Sequence, residues 1–107
     1  MPTNFVSSQA ANVTTITTVY NPTTASVQAT LSGCLLANTT TSTVTASVTL
    51  VNAGATVTTN IVKNAIIPPG ISLDIMNSAK INVPQNYAVQ VVASGATDVT
   101  VSATEVS

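Results

Sequence analysis

Apolar and polar residues alternate with a period of two along most of this chain, and turn signals interrupt the alternation roughly every ten residues, the spacing of short antiparallel strands. Val13–Tyr20 is rich in β-branched residues and ends at Asn21-Pro22, a strand stop. In Ser26–Asn38, Val27, Ala29, Leu31, Gly33 and Leu35 share one face, and Gln28, Thr30 and Ser32 the other. Gly33 beside Cys34 predicts a bulge or a close backbone approach there. Val44–Asn52 points Val44, Ala46, Val48 and Leu50 inward and Thr45, Ser47 and Thr49 outward. Ala53-Gly54-Ala55 then turns the chain into Thr56–Ile67. That stretch holds no single parity, because Lys63 falls in register with Val57 and Ile61; a bulge near Thr59-Asn60, or two short strands, would resolve the conflict.

Beyond the Pro68-Pro69-Gly70 break, Ile71–Met76 alternates with Ile71, Leu73 and Ile75 inside and Asp74 outside. Ile81-Asn82-Val83 is a short strand stopped by Pro84. Tyr87, Val89, Val91 and Ala93 form the next inward row, and Val99, Val101 and Ala103 the last. No segment has a convincing helical period and no repeat of fixed length appears. The pattern predicts an all-β fold, a single antiparallel β-sandwich of seven to nine short strands, immunoglobulin-like or jelly-roll. Residues 1–11 are polar and irregular. They read as an N-terminal arm or short edge strand, followed by the sandwich domain at 12–107.

The composition changes the picture from fold to surface. The chain carries two lysines, three carboxylates and no histidine, and only 5% of its residues are charged. Soluble domains average about 25%, so the exterior must consist of hydroxyls, amides and small apolar groups. A net charge of −1 supplies no field for nucleic acid or an anionic membrane, and two lysines neutralise few phosphates. The N-terminus lacks the basic and apolar regions of a Sec signal, and no apolar run reaches the roughly 18 residues of a spanning helix. The mean hydropathy of +0.46 comes from Val and Ala dispersed among Thr.

Candidate chemistry is correspondingly thin. Without histidine there is no Ser-His-Asp triad and no base for a Cys34 nucleophile. Cys34 is the one cysteine, so it is either a small apolar strand residue or the half of an intermolecular disulfide. Asp74 and Asp98 read as surface carboxylates, and nothing sets two acids across a cleft. Glu105 ends the inward row of Val101 and Ala103 and therefore needs a partner, for which Lys63 and Lys80 are candidates. No cluster suits calcium or a transition metal. The expectation is a protein with no enzymatic activity, no metal and no cofactor. Two sequons, at Asn12 and Asn38, occur no more often than an Asn- and Thr-rich sequence produces by chance.

Strands faced with Thr and Ser lack the Lys and Glu that usually guard exposed edges against pairing. Neutral polar surface also costs less to desolvate than charged surface. Both points favour a chain that works packed among neighbours.

Several segments carry a resemblance. Ile66–Leu73, Ala79-Lys80-Ile81, Val89–Ser94, Val99–Ser102 and Glu105-Val106, with Leu35–Asn38 and Val44–Leu50 upstream, resemble small β-sandwich virion structural proteins of tailed bacteriophages, of the capsid cement or decoration type. Pro84-Gln85-Asn86 departs from the Gly-Asp turn such proteins often carry. The resemblance implies a cement protein made in the host cytoplasm and docked on the outer capsid surface. There it would bridge major capsid protein subunits and associate with its own copies, the 1–11 arm ordering on docking. A tail, neck or baseplate component is the alternative within that class. A receptor- or carbohydrate-binding module of a surface fibre is the alternative outside it, with Tyr20 and Tyr87 as its candidate platform.

Overall fold

The computed structural model describes residues 3–22, 28–52, 54, 56–75 and 80–106. Ser26, Val27, Ala53, Ala55, Met76 and Ala79, which figure in the strand, turn and motif readings above, lie outside the described residues. The strands are β1 (Thr3–Val13), β2 (Thr17–Tyr20), β3 (Gln28–Asn38), β4 (Val44–Val51), β5 (Thr58–Ile67), β6 (Ser72–Asp74), β7 (Ile81–Val83), β8 (Ala88–Ala93) and β9 (Thr97–Val106).

They form two antiparallel sheets, one ordered β1-β9-β3-β6 with β7 also on β3, the other β2-β8-β4-β5. β7 pairs with Ala29–Leu31 and β6 with Leu35–Ala37, so the two short strands together act as one interrupted strand along β3. Every connection crosses between sheets except β4 to β5 and β6 to β7. With β6 and β7 counted as one, this is the eight-strand order of a jelly roll, and it decides between the two sandwich topologies left open by the pattern.

The core lies between the sheets and is built almost wholly from β-branched and small residues. Leu31, Leu36, Val44, Val48, Ile67, Val83, Val89, Val91, Val99 and Val101 are buried. The inward rows of β4, β8 and β9 match the alternation in the sequence. The folded surface of 5720 Å² agrees with the roughly 5,500 Å² expected for a chain of this mass.

Three local expectations are corrected. In β3 the register with β9 shifts between Leu31 and Gly33. The extra residue reverses the parity: Ala29 and Leu31 point inward before it, Cys34, Leu36 and Asn38 after it, and Leu35 is turned out at 43% exposure. Gly33 therefore marks a bulge rather than a close approach; a Cβ there would meet Ser102 at an ordinary 3.7 Å. In β5 one register break falls at Ile61, beside the expected Thr59-Asn60, and a second, not expected, at Lys63-Asn64 within one continuous strand. Asn64 takes the left-handed conformation (φ 55), and its amide donates to Ser47 Oγ at 2.9 Å. Val13–Tyr20 is not one strand either. Val13 ends β1, Asn12 sits at φ 55 beside a register shift, and 14–16 cross to the other sheet.

Residues 3–11, read as an arm or edge strand, form most of β1, which runs on to Val13 across the boundary drawn at residue 11. Backbone pairing with β9 from Thr3 to Ala10 satisfies polar groups that a free arm would leave to water.

Candidate assembly surface

The few titratable groups decide what chemistry the surface can do. Cys34 is 1% exposed, and burial, reinforced by the charge of Asp74, pushes its thiol up to about 12. A thiol held neutral inside a strand is neither a nucleophile nor half of an intermolecular bridge. Asp74 lies opposite Leu35 on the exposed edge of its sheet. Asp98 accepts the backbone N–H of Asn12 at 3.0 Å, fastening the irregular end of β1 to β9. Glu105 accepts the Tyr20 hydroxyl at 2.5 Å. The partner predicted for Glu105 is thus a phenol from the opposite sheet and not Lys63 or Lys80, both of which are exposed. Burial, and then the Glu105 carboxylate, raise the Tyr20 pKa above its ordinary 10.0.

The fold keeps the three carboxylates apart from one another. β3 separates Asp74 from Asp98, and Asp98 and Glu105 occupy opposite ends of β9. Among the described residues, no set of three His, Cys, Asp or Glu side chains is placed to hold a metal ion.

Tyr20 is buried in the core with its hydroxyl engaged, and Tyr87 is half-buried, so neither is a flat exposed platform for a sugar ring. The shallow hollow lined by Leu50, Asn52, Val57, Thr59 and Tyr87 has a volume of about 270 Å³.

Asn38 and Thr97 are the buried polar residues among those described, and the sequence marks Asn38 only as a sequon. Asn38, at the end of β3, is 2% exposed. Its Nδ2 donates to the carbonyls of Ser42 (2.7 Å) and Ile67 (2.9 Å), and its Oδ1 accepts the Thr40 amide (2.9 Å) and hydroxyl (2.7 Å). Its backbone bonds Ile71 O and Gly70 N. One side chain thus ties β3, the turn into β4, the end of β5 and the approach to β6. An Asn at a strand end followed by Thr-Thr is the available signal, since such residues organise turns through their side chains. The burial also removes Asn38 as a glycan acceptor.

What remains is the exterior. The outer face of the β1-β9-β3 sheet presents Ser7, Gln9, Thr100, Ser102 and Ser32. The outer face of the second sheet presents Thr18, Thr45 and Asn60, with Ser47, Thr49 and Gln90 half-buried. Set among these hydroxyls and amides are large exposed apolar side chains: Phe5 at 86%, Ile16 at 69%, Ile66 at 68%, and Val57 and Ile71 above one half. No described helix is long and apolar enough to cross a membrane.

No protein-family model and no curated protein sequence matches the chain. Its fold does match a solved structure. A chain from the Bacillus endospore appendages, described as a novel family of disulfide-linked pili, superposes with a TM-score of 0.58 at 18% identity, covering 97% of this chain and 84% of that one. The likeness extends over the whole sandwich and is one of fold.

Proposed function

We propose that this chain is a non-enzymatic structural subunit that works packed against neighbouring proteins in an ordered assembly. The observation that carries the reading is the exterior: two sheets faced mainly with hydroxyls and amides, with Phe5, Leu35 and Ile66 exposed on their strands and Ile16, Val57 and Ile71 exposed in the connections. Such a surface loses little hydration on contact and gains from covering its apolar members. Repeated over many copies, individually weak contacts sum to stable association.

The finer form of the proposal is a bacteriophage virion protein of the cement or decoration type. It sits on the outer surface of the capsid and bridges major capsid protein subunits, with contacts between its own copies. Its support is the resemblance of the strand segments between Leu35 and Val106 to such proteins. An interface of about 1,600 Å² in total is ordinary for a specific contact. A second form, a subunit of an extracellular filament, is favoured by the shared fold with the endospore appendage. The disulfide linkage described for that pilus would need a different solution here, because Cys34 is buried.

Quantitative mass spectrometry of purified particles, with electron microscopy of the isolated chain, tests the proposal. Hundreds of copies per particle support head decoration, and tens point to a tail component. Filaments formed by the chain alone favour the second form. A chain found in neither particle nor fibre overturns the structural reading.

A further inference from the structure

Jelly-roll sheets have open edges, and the edges of this chain are not equally protected. β2 is four residues long and its register with β8 shifts between Thr18 and Tyr20. β5 carries two register breaks, the left-handed Asn64 and the exposed Lys63. β6 and β7 are three residues each, with Lys80 before β7 and Pro84 after it. Short strands, bulges, lysine and proline are the usual devices that stop an edge from recruiting another strand.

β1 has none of them within Thr3–Ala10; Pro2 precedes that stretch and the strand's register shift comes only after Ala10. Its register with β9 is unbroken through that stretch, and the segment TNFVSSQA contains no charge, proline or glycine. Its side chains sort cleanly, with Val6, Ser8 and Ala10 half-buried and Phe5, Ser7 and Gln9 exposed. Ser8 Oγ donates to Val19 O of β2, which holds the inward row within the sandwich.

We propose that this edge pairs antiparallel with the same edge of a second copy, joining the two β1-β9-β3 sheets across a two-fold axis at Ser7. The inference rests on the reading of the chain as an assembly subunit and names one of its contacts. The argument for a second copy is one of register and charge. In antiparallel pairing, facing residues share a sheet face, so a strand meets itself only in registers that place odd opposite odd and even opposite even. With Ser7 opposite Ser7, the whole of Asn4–Ala10 is paired. Val6 then meets Ser8 on the core side, extending both inward rows. Phe5 meets Gln9 on the outer side, twice, which covers the most exposed aromatic ring of each chain. An uncharged strand carries no like charges to repel its own copy and none to select a partner of opposite sign. Because the same patch is used on both chains, the contact closes at two copies and leaves the other surfaces free.

Analytical ultracentrifugation of the wild-type chain and of Ser7→Lys tests this. Ser7 is exposed, so the variant retains its strand spectrum and, at concentrations where both chains are monomeric, its thermal midpoint, while placing two lysines face to face in the dimer. The wild type is expected to show a concentration-dependent dimer and Ser7→Lys a dissociation constant raised about tenfold or more, since like charges brought face to face at an interface repel. Ser7→Cys is expected to oxidise to a covalent dimer under native conditions, Cys34 being buried and out of competition. A wild type that stays monomeric at millimolar concentration, or a Ser7→Cys that does not cross-link, overturns the inference. Open chains of copies that persist in Ser7→Lys also overturn it, and in that case the assembly reading survives on another edge. The assembly reading fails separately, by absence of the chain from particles and fibres.

Discussion

Asn38 shows how one buried polar side chain can outweigh its size. All four of its side-chain bonds are made inside the fold, and no buried side-chain polar atom among the described residues lacks a partner. Asn38→Ala leaves the Ser42 and Ile67 carbonyls and the Thr40 donors to find others, and is expected to lower stability by about 2–3 kcal/mol. Urea titration checks this as a fall in midpoint at constant slope. Asn38→Asp is expected to be worse, because it turns a carboxylate oxygen toward two carbonyls. Cys34 supplies a second test at this scale. Its thiol is expected to resist a disulfide-exchange reagent in the native chain and to react only on unfolding. A thiol that stays protonated in the fold but ionises in the unfolded chain takes stability away as pH rises. Stability is therefore expected to hold between about pH 6 and 8, where the chain has no histidine to titrate. It should then decline from about pH 8.5 toward about 12, with Tyr20 steepening the fall above its ordinary 10.0. Denaturant midpoints measured across that range should show the first part of the slope vanish in Cys34→Ala and the later part remain.

At the scale of elements, the informative places are those where a strand changes parity. Period-two alternation locates β4, β8 and β9 and their buried rows because those strands run without a break on their inward side. It puts Leu35 inside because it carries the parity of Ala29 and Leu31 through Gly33. One extra residue at the bulge exchanges Leu35 for Leu36. Leu36→Ala is expected to cost about 2–5 kcal/mol as a core truncation. Leu35→Ala should stay within about 1 kcal/mol, as surface changes usually do. Equal costs for the two would contradict the bulge. A glycine can signal irregularity in a strand, but whether one residue or none is inserted depends on the partner strand opposite it. The same applies to β5, where the conflict around Lys63 was legible and the position of the break was set by Ser47 on β4. Glu105 obeys the same rule. Its need for a partner follows from its inward parity, while the partner is chosen by the packing of β2 over β9.

For the whole molecule, scarcity of charge governs both folding and association. Only 5% of the residues are charged, so salt has little to screen. Self-association is expected to change by less than about threefold between low and high ionic strength, a range over which a charge-steered contact weakens severely. Sedimentation at two sodium chloride concentrations reads this directly, and a strong salt dependence would point to Lys63, Lys80 and the carboxylates as interface residues. The jelly-roll order also distributes the open edges, with β1 and β2 on one flank and β5 and the β6–β7 pair at the other ends of the two sheets. A subunit so built can be joined to neighbours on both flanks without disturbing its core.

The fold class, most of the buried rows, the lack of histidine, the single thiol and the neutral character of the exterior are all legible in the order of residues. Those properties follow from residue type and from a period that each strand carries within itself. Tertiary structure alone decided the jelly-roll order, the exchange of Leu35 for Leu36, the enclosure of Asn38 and the pairing of Tyr20 with Glu105. It also decided which edge is left unguarded. Each of these depends on which strand lies opposite which. That is a relation between distant segments, set by how the two sheets close over one core rather than by any residue's own preference.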